Sequence, residues 1–162
     1  LGAGRMPILG RAADPRRGAT LYVRACAACH QQDGLGVRRN RELPNFGYLT
    51  PPLWGPDSFN NGAGMATLIT VANFIHFNMP NGTSYTRPRL TQQEAWDIAA
   101  FVISQKRPQR AGLDKDFPDL LQKPADIPYG PYADVFSQTQ HMYGPFGPIQ
   151  TALARMKAQK KN

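Results

Sequence analysis

Apolar side chains recur at helical spacing in three stretches of the chain, and this pattern predicts three helices. The first starts at Asp14, a good N-cap, with Pro15 at the first helical position, and it continues into residues 26–30. The second covers residues 65–77 and ends before Pro80, because the residue preceding a proline disfavours helix. Its predicted apolar face consists of Leu68, Val71, Ala72 and Ile75.

The third predicted helix opens on a capping box. Thr91 is the N-cap, and Glu94 reaches back to the N-cap backbone. Apolar positions continue as far as Val102, and the helix should stop before Pro108. Trp96 lies on this helix, and we expect it in the core.

Glycine and proline dominate the segments between these helices. Their density in residues 31–64 predicts a long structured loop with no regular element, and a loop of this length in a compact domain needs a surface to pack on. Residues 80–90 form a second predicted loop. From residue 107 onward seven prolines predict little regular structure before about residue 149, after which residues 149–161 favour a short basic helix.

These patterns divide the chain into three parts. Residues 1–13 are predicted to be a linker or N-terminal arm, and residues 14–106 a helical domain. Residues 107–162 are predicted to be an extended arm that wraps the core or docks on a partner, because their aromatic content is unusual for a disordered tail. The chain begins at Leu1 without a signal-peptide pattern, so we interpret it as a mature or trimmed product.

The net charge of +8 and the sequence pI of about 9.9 favour an anionic partner or substrate. Nucleic acid is not expected, because the basic residues are scattered and no nucleic-acid motif is present. No apolar run approaches the roughly 20 residues that a membrane span needs.

The two cysteines of the chain stand in the motif CAACH, formed by Cys26, Cys29 and His30. Two intervening residues place the thiols at the spacing of the two vinyl groups of a haem, and the adjacent histidine then lies beneath the iron. A zinc site would need more donors, and beyond His30 the chain offers only His76 and His141. A thioredoxin-type CxxC belongs near a βαβ pattern, which is not predicted here. The motif therefore predicts one covalent haem c.

The sixth iron ligand must come from another segment. Met79 is the preferred candidate, because it directly follows a predicted helix and precedes Pro80, where an extended loop can present a thioether. Met65 and His76 remain as alternatives. A methionine ligand would raise the reduction potential relative to histidine.

Several loop residues are candidate haem contacts. Pro51, Pro52, Leu53 and Trp54 are expected to form an apolar wall. The Trp54 N–H, the Tyr48 O–H, and the guanidinium groups of Arg87 and Arg89 are candidate partners of the anionic haem propionates.

Three helices, an early CAACH, a later Met-Pro and a capped last helix resemble class I cytochrome c, an all-α fold around one haem. The segments PPLWGPDSFNNGAGM (51–65), FIHFNMP (74–80), EAWDIAAFVISQKRP (94–108) and LDKDFPDLLQKPADIPYGPYAD (113–134) further resemble the C-terminal haem domain of diheme thiosulfate dehydrogenases, the tetrathionate-forming enzymes of the bacterial periplasm.

This chain also departs from that family. Its enzymes carry a catalytic haem in an N-terminal domain, with a cysteine as distal ligand, whereas this chain has one CxxCH and no third cysteine. Residues 1–13 resemble the linker that would follow such a domain. Asn78 stands where some members have a lysine that competes for iron.

The resemblance implies a periplasmic electron-transfer cytochrome in thiosulfate oxidation, acting as a relay or as the electron-exit domain of a larger enzyme. We assign no catalytic residues. The expected partners are an acidic redox protein, a membrane-bound oxidase or reaction centre, or a haem-bearing catalytic domain. The alternatives are a complete oxidoreductase acting on thiosulfate or tetrathionate, and a haem-bearing docking subunit.

Overall fold

The computed structural model describes residues 4–40, 42–43 and 46–160, and its regular structure is mainly helical, as predicted. The longer helices are α1 (Pro15–Ala25), α3 (Leu68–Asn78), α4 (Gln92–Ile103) and α6 (Gly147–Lys160). The shorter elements are α2 (Ala27–His30), β1 (Val37–Arg38), β2 (Tyr48–Thr50), α5 (Gln138–Tyr143), and 3₁₀ turns at Gly64–Ala66, Leu113–Lys115 and Leu120–Gln122.

Helix α1 begins as predicted and packs directly on α4. The Asp14 side chain accepts hydrogen bonds from the backbone N–H groups of Arg16 and Arg17, which caps the helix. A Cβ atom added to Gly18 would lie 1.9 Å from the Asp97 carbonyl oxygen, so α1 and α4 approach at a point where no side chain fits. This crossing places the end of α1, and with it the CAACH motif, at a fixed position on the core.

Helix α3 starts later than predicted. The chain forms a 3₁₀ turn at Gly64–Ala66 and is extended at Thr67 before α3 begins, because the Thr67 hydroxyl donates back to the Gly64 carbonyl at 3.0 Å. The carboxylate of Asp126, far along the chain, accepts the Ile69 N–H at 3.0 Å. The predicted apolar face is buried, and the helix ends before Pro80 as expected.

Helix α4 agrees with its prediction at both ends. The capping box is complete, since the Thr91 hydroxyl accepts the Glu94 N–H and the Glu94 carboxylate accepts the Thr91 N–H. The helix stops at Ile103, well before Pro108. Trp96 is 1% exposed and belongs to the core, as expected.

The prediction that residues 31–64 hold no regular element is wrong. Strands β1 and β2 pair antiparallel, with Val37 opposite Thr50. Gly36, at φ +71°, lets the chain turn into β1, and a Cβ atom there would lie 2.3 Å from the Thr50 carbonyl oxygen. Gly36 therefore permits this short strand pairing, although the density of glycine in residues 31–64 had predicted no regular structure there.

The prediction of little regular structure before residue 149 is also wrong. The Ser137 hydroxyl caps α5 by accepting the Gln140 N–H, and α5 ends at Gly144. Helix α6 begins already at Gly147, because Pro148 is tolerated in a first helical turn. Phe146, Ile149 and Leu153 are buried in the same core cluster as the helices α1, α3 and α4.

The N-terminal strap, residues 4–13, is extended and packed. Met6 and Ala13 are buried, and the Ala13 N–H donates to the Tyr143 carbonyl at 2.8 Å. Across the described part of the chain, no helix is long and apolar enough to cross a membrane.

Candidate functional site

The CAACH motif forms a single turn at the end of α1. Cys26 closes α1, and its carbonyl accepts the N–H groups of Cys29 and His30 at 3.1 and 2.9 Å. Cys26 is half-buried, Cys29 is exposed, and both thiols are free. Burial, with a smaller contribution from Cys29, raises the pKa of Cys26 to about 11, so the side chain is a neutral thiol at pH 7 when no group is bound to it.

The imidazole of His30 is oriented by the backbone of a distant loop. Its Nδ1 lies 2.9 Å from the Pro51 carbonyl oxygen, which can only accept, so the hydrogen bond assigns the proton to Nδ1. Burial lowers the pKa of His30, partly offset by this hydrogen bond, and the ring is therefore neutral at pH 7. The lone pair on Nε2 is then available to a metal, the arrangement that metal-bound histidines adopt.

The loop that orients His30 also contains Pro51 to Trp54, whose predicted role as an apolar wall against a haem stays a prediction. Pro52 is buried, and the Leu53 N–H donates to the Gly34 carbonyl at 2.8 Å. Trp54 lies between α1 and α4, with ring centroids 5.1 Å from Tyr22 and 5.5 Å from Phe101. Leu53 packs against the core from this loop, whereas Trp54 joins an aromatic cluster, and the haem contact predicted for Trp54 stays a prediction.

Tyr48 lies in a cavity of about 540 Å³ beside the hairpin. Its hydroxyl donates to the Asp57 carboxylate at 2.8 Å, and Arg38 bonds the same carboxylate while its guanidinium lies 4.8 Å from the Tyr48 ring. Trp54 and Pro52 line the same cavity. The hydroxyl of Tyr48 thus has a carboxylate partner in the protein, and its predicted bond to a propionate stays a prediction.

The candidate distal ligands lie at the two ends of α3. Met79 is half-buried and directly follows α3, and its backbone is extended at φ −126° and ψ 149°. Met65 lies in the 3₁₀ turn before α3 and packs against the core. His76 is 6% exposed, on the last turn of α3.

Two buried polar atoms bracket Met79 without a hydrogen-bond partner in the described structure. They are His76 Nδ1, three residues before Met79, and Thr83 Oγ1, four residues after it. Buried polar groups normally find a partner, so unpaired ones suggest a missing neighbour. This pair is the observation that best fits a prosthetic group next to Met79.

Arg87 and Arg89 lie in the exposed 80–90 loop. The guanidinium of Arg89 lies over Gly82, where a Cβ atom would approach it to 2.8 Å. The structure places both arginines on the loop that follows Met79, and their predicted role toward propionates stays a prediction.

Arg107 is a candidate that sequence reasoning missed. Its guanidinium donates to the Val102 carbonyl at 2.6 Å and lies 4.4 Å from the Phe59 ring. Burial lowers its pKa to about 10, and no carboxylate pairs with it among the described residues. A half-buried cation without a counter-charge beside the Leu53 loop suits an anionic group. The signal in the sequence that could have identified Arg107 was its position directly before Pro108.

Taken by their chemistry, these residues fit a covalently bound haem. Two free thiols stand on one turn, a neutral imidazole offers Nε2, and a thioether follows α3 in a segment that holds two buried polar atoms without a partner among the described residues. The described residues contain no group of three or more His, Cys, Asp or Glu side chains arranged to hold a metal ion on their own, so the zinc alternative has no matching geometry there.

Comparison with known proteins identifies relatives of the same kind. The cytochrome c family model matches residues 15–106. The chain is 44% identical over 108 residues to the thiosulfate dehydrogenase of Thiomonas intermedia (strain K12), covering 67% of this chain and 32% of that protein. It is 46% identical over 101 residues to the thiosulfate dehydrogenase of Allochromatium vinosum, covering 62% of this chain and 34% of that protein.

A solved structure gives the same relationship. The chain matches the thiosulfate dehydrogenase (TsdBA) of Marichromatium purpuratum in its as-isolated form, with a TM-score of 0.59 and 42% identity, over 68% of this chain and 22% of that one. The chain spans about a third of the length of the curated relatives it matches. The predicted resemblance and the class I fold are confirmed. Because the family model covers more than half of the chain, the protein belongs to the cytochrome c family of haem c electron-transfer domains and is related to thiosulfate dehydrogenases.

Proposed function

We propose that the chain binds one haem c through thioethers at Cys26 and Cys29, with His30 and Met79 as axial ligands, and relays electrons. The bound haem supplies one-electron exchange at a potential that the axial ligands set. The protein's own contribution is to fix the attachment points, orient the imidazole and keep a thioether at the sixth position. Residues 14–106 would form the cytochrome domain, and residues 107–162 the arm around it.

The observation that carries this proposal is the geometry of His30. The hydrogen bond of Nδ1 to the Pro51 carbonyl fixes both the tautomer and the ring plane while the two thiols stand on the same turn. A hydrogen bond donated by the ring nitrogen that does not bind the metal raises the basicity of the ligating nitrogen.

The relatives support a place in sulfur-compound oxidation. Their printed names describe thiosulfate dehydrogenases, and the chain matches about a third of their length. We therefore place the domain in the periplasm, where it would receive electrons from thiosulfate oxidation. It would pass them on to an acidic redox protein, to a membrane-bound oxidase or reaction centre, or between domains of a larger enzyme.

The alternative is a domain that oxidises thiosulfate itself, as the names of the relatives suggest. Two features speak for the relay. With His30 and Met79 both bound, the iron has no vacant position for an anion. Both cysteines of the sequence are used for thioethers, so none is left to form a sulfur adduct.

A steady-state assay separates the two functions. The purified haem-loaded chain is mixed with thiosulfate and an artificial electron acceptor, and Met79→Gly serves as a variant with an opened sixth position. We expect the wild type to show far less than one turnover per second, against the roughly 10 per second of a typical enzyme. Ascorbate should still reduce the haem fully. Enzyme-like turnover by the wild type would establish the catalytic alternative.

A further inference from the structure

The N-terminal strap is tied to the two helices on either side of the candidate distal ligand. The Met6 N–H donates to the side-chain oxygen of Asn73, on α3, at 2.7 Å. Arg11 forms two hydrogen bonds of 2.8 Å to Asp97, on α4. The strap therefore holds a defined path across α3 and α4.

At Gly4 the strap presses against a single aromatic ring. A Cβ atom added to Gly4 would lie 2.4–2.6 Å from three ring atoms of Phe77, closer than such atoms can approach. Gly10, in the same strap, has no atom of the described residues within 4 Å of the same added atom. The close approach thus belongs to Gly4 and not to the strap's glycines in general.

Phe77 in turn joins α3 to the loop that follows Met79. Its ring stacks on Tyr85 with centroids 4.8 Å apart and an interplanar angle of 17°, and it meets the His76 ring edge-on at 4.6 Å. Tyr85 lies in the middle of the 80–90 loop, and Phe77 is two residues before Met79. The N-terminal strap, the end of α3 and the 80–90 loop therefore meet at the Phe77 ring.

Few polar contacts hold this loop to the helices. The hydrogen bonds of its described residues, such as Thr83 N–H to the Pro80 carbonyl and Arg87 N–H to the Ser84 carbonyl, run within the loop. The hydroxyl of Thr83 has no hydrogen-bond partner among the described residues. Apart from Leu90, which is buried in the core at the end of the loop, the Phe77–Tyr85 stack is the contact that joins the middle of the loop to α3.

We propose that Gly4 and Phe77 are positioning residues for the distal iron ligand: the strap keeps Phe77 seated on Tyr85, and the stack limits how far Met79 can swing away from the haem. This inference rests on the proposed function, which assigns Met79 to the iron. It predicts that the strap controls the lability of the Met79–iron bond and leaves the His30 side unaffected.

The test uses the full haem-loaded protein in its ferric state. Imidazole is added, and its replacement of Met79 is followed by stopped-flow absorbance and by loss of the weak Met–iron charge-transfer band. Gly4→Ala should displace the Phe77 ring and speed the replacement about tenfold, which corresponds to about 1.4 kcal/mol. Gly10→Ala, the matched control, should react like the wild type.

A double-mutant cycle shows whether Gly4 acts through Phe77. Phe77→Leu removes the stack and should itself speed the replacement. Adding Gly4→Ala to Phe77→Leu should then have no further effect, because coupled residues are non-additive. Full additivity would contradict the proposal.

Ile149→Val, in α6, controls for a general loss of stability, because it trims a fully buried side chain of the arm. It should not speed the replacement; an acceleration equal to that of Gly4→Ala would show a merely structural effect and overturn the inference. If Gly4→Ala does not fold, Asn73→Ala, which removes the acceptor of the Met6 N–H, replaces it with the same expectation.

The same measurements separate the role of the strap from the assignment of Met79 to the iron. A wild type without a Met–iron band would refute the assignment of Met79 and, with it, the inference. A wild type that shows the band, with Gly4→Ala and Gly10→Ala reacting alike, would refute the role of the strap alone.

Discussion

The two sides of the proposed haem site are held in different ways. On the proximal side, His30 lies on a turn that is closed by backbone hydrogen bonds, and the Pro51 carbonyl orients its ring. The Tyr22 hydroxyl donates to the carbonyl of the next residue, Gln31, at 2.7 Å. On the distal side, Met79 follows a helix end, where its backbone N–H donates to the Ile75 carbonyl at 2.9 Å, and in our proposal the stack of Phe77 on Tyr85 limits its movement.

This difference indicates a division of roles. Several hydrogen bonds hold the proximal ligand, so the loss of one of them should lower the free energy of unfolding but leave His30 in place. The distal ligand has fewer constraints, so it should set the potential and be the one that exchanges.

The largest effect is expected on the proximal side, where His30→Ala, Cys26→Ala and Cys29→Ala remove the attachment itself. We expect each cysteine variant to weaken or abolish covalent haem and His30→Ala to be the most severe, since it removes the iron ligand. Denaturing electrophoresis with haem staining measures this. Ala28→Ser, at an exposed position within the same turn, is the control and should stain normally. Unchanged staining in both cysteine variants would contradict the motif.

The next effect is expected on the distal side. Met79→Leu should lower the reduction potential by at least about 59 mV, a tenfold change for one electron, because the thioether favours the ferrous iron. The variant should also bind carbon monoxide or cyanide readily. Met65→Leu, which alters the runner-up ligand, is the matched control. A reduction potential that falls in Met65→Leu and not in Met79→Leu would identify Met65 as the distal ligand and would contradict the assignment of Met79.

Ionic strength should change the rate at which the protein meets its redox partner, and it should not affect the two iron ligands. With a net charge of +8, electron transfer to an acidic partner should slow by about tenfold between 10 mM and physiological salt, as screening shortens the reach of surface charges. The reduction potential should stay nearly constant over the same range. Stopped-flow rates at several salt concentrations test this, and a flat or rising dependence would exclude electrostatic guidance.

The smallest effect probes the redundancy of the proximal side. Tyr22→Phe removes the hydrogen bond to the Gln31 carbonyl and should cost about 1 kcal/mol of unfolding free energy. The reduction potential should not change, because the Pro51 carbonyl still orients His30. Denaturant unfolding and a redox titration measure the two quantities. A shifted potential with unchanged stability would reverse the assignment of roles.

Sequence reasoning succeeded where the signal is local. The Asp14 cap and the capping box of Thr91 and Glu94 each lie within a few residues, and neighbouring groups satisfy them. The contacts it missed join residues far apart: the Pro51 carbonyl lies 21 positions from His30, and the Gly4 contact with Phe77 spans 73. No local periodicity encodes such contacts.

The errors in the fold have the same origin. Density of glycine and proline suggested loops, yet Gly36 permits the β1–β2 pairing and Pro148 fits the first turn of α6. Thr67 ends the 3₁₀ turn before α3 because its hydroxyl bonds Gly64 and because Asp126, in the arm, binds the N–H of Ile69. The β1–β2 pairing and the start of α3 thus depend on contacts with residues distant in the sequence, which propensity alone leaves open.

A spectroelectrochemical titration of the haem-loaded wild type tests the central claim most directly. Absorbance is recorded across the potential range, including the Met–iron charge-transfer band of the oxidised form. A single haem with His30 and Met79 as ligands predicts one one-electron transition, with that band present in the oxidised protein and absent from Met79→Leu. Two transitions, or a band that survives in Met79→Leu, would contradict the account.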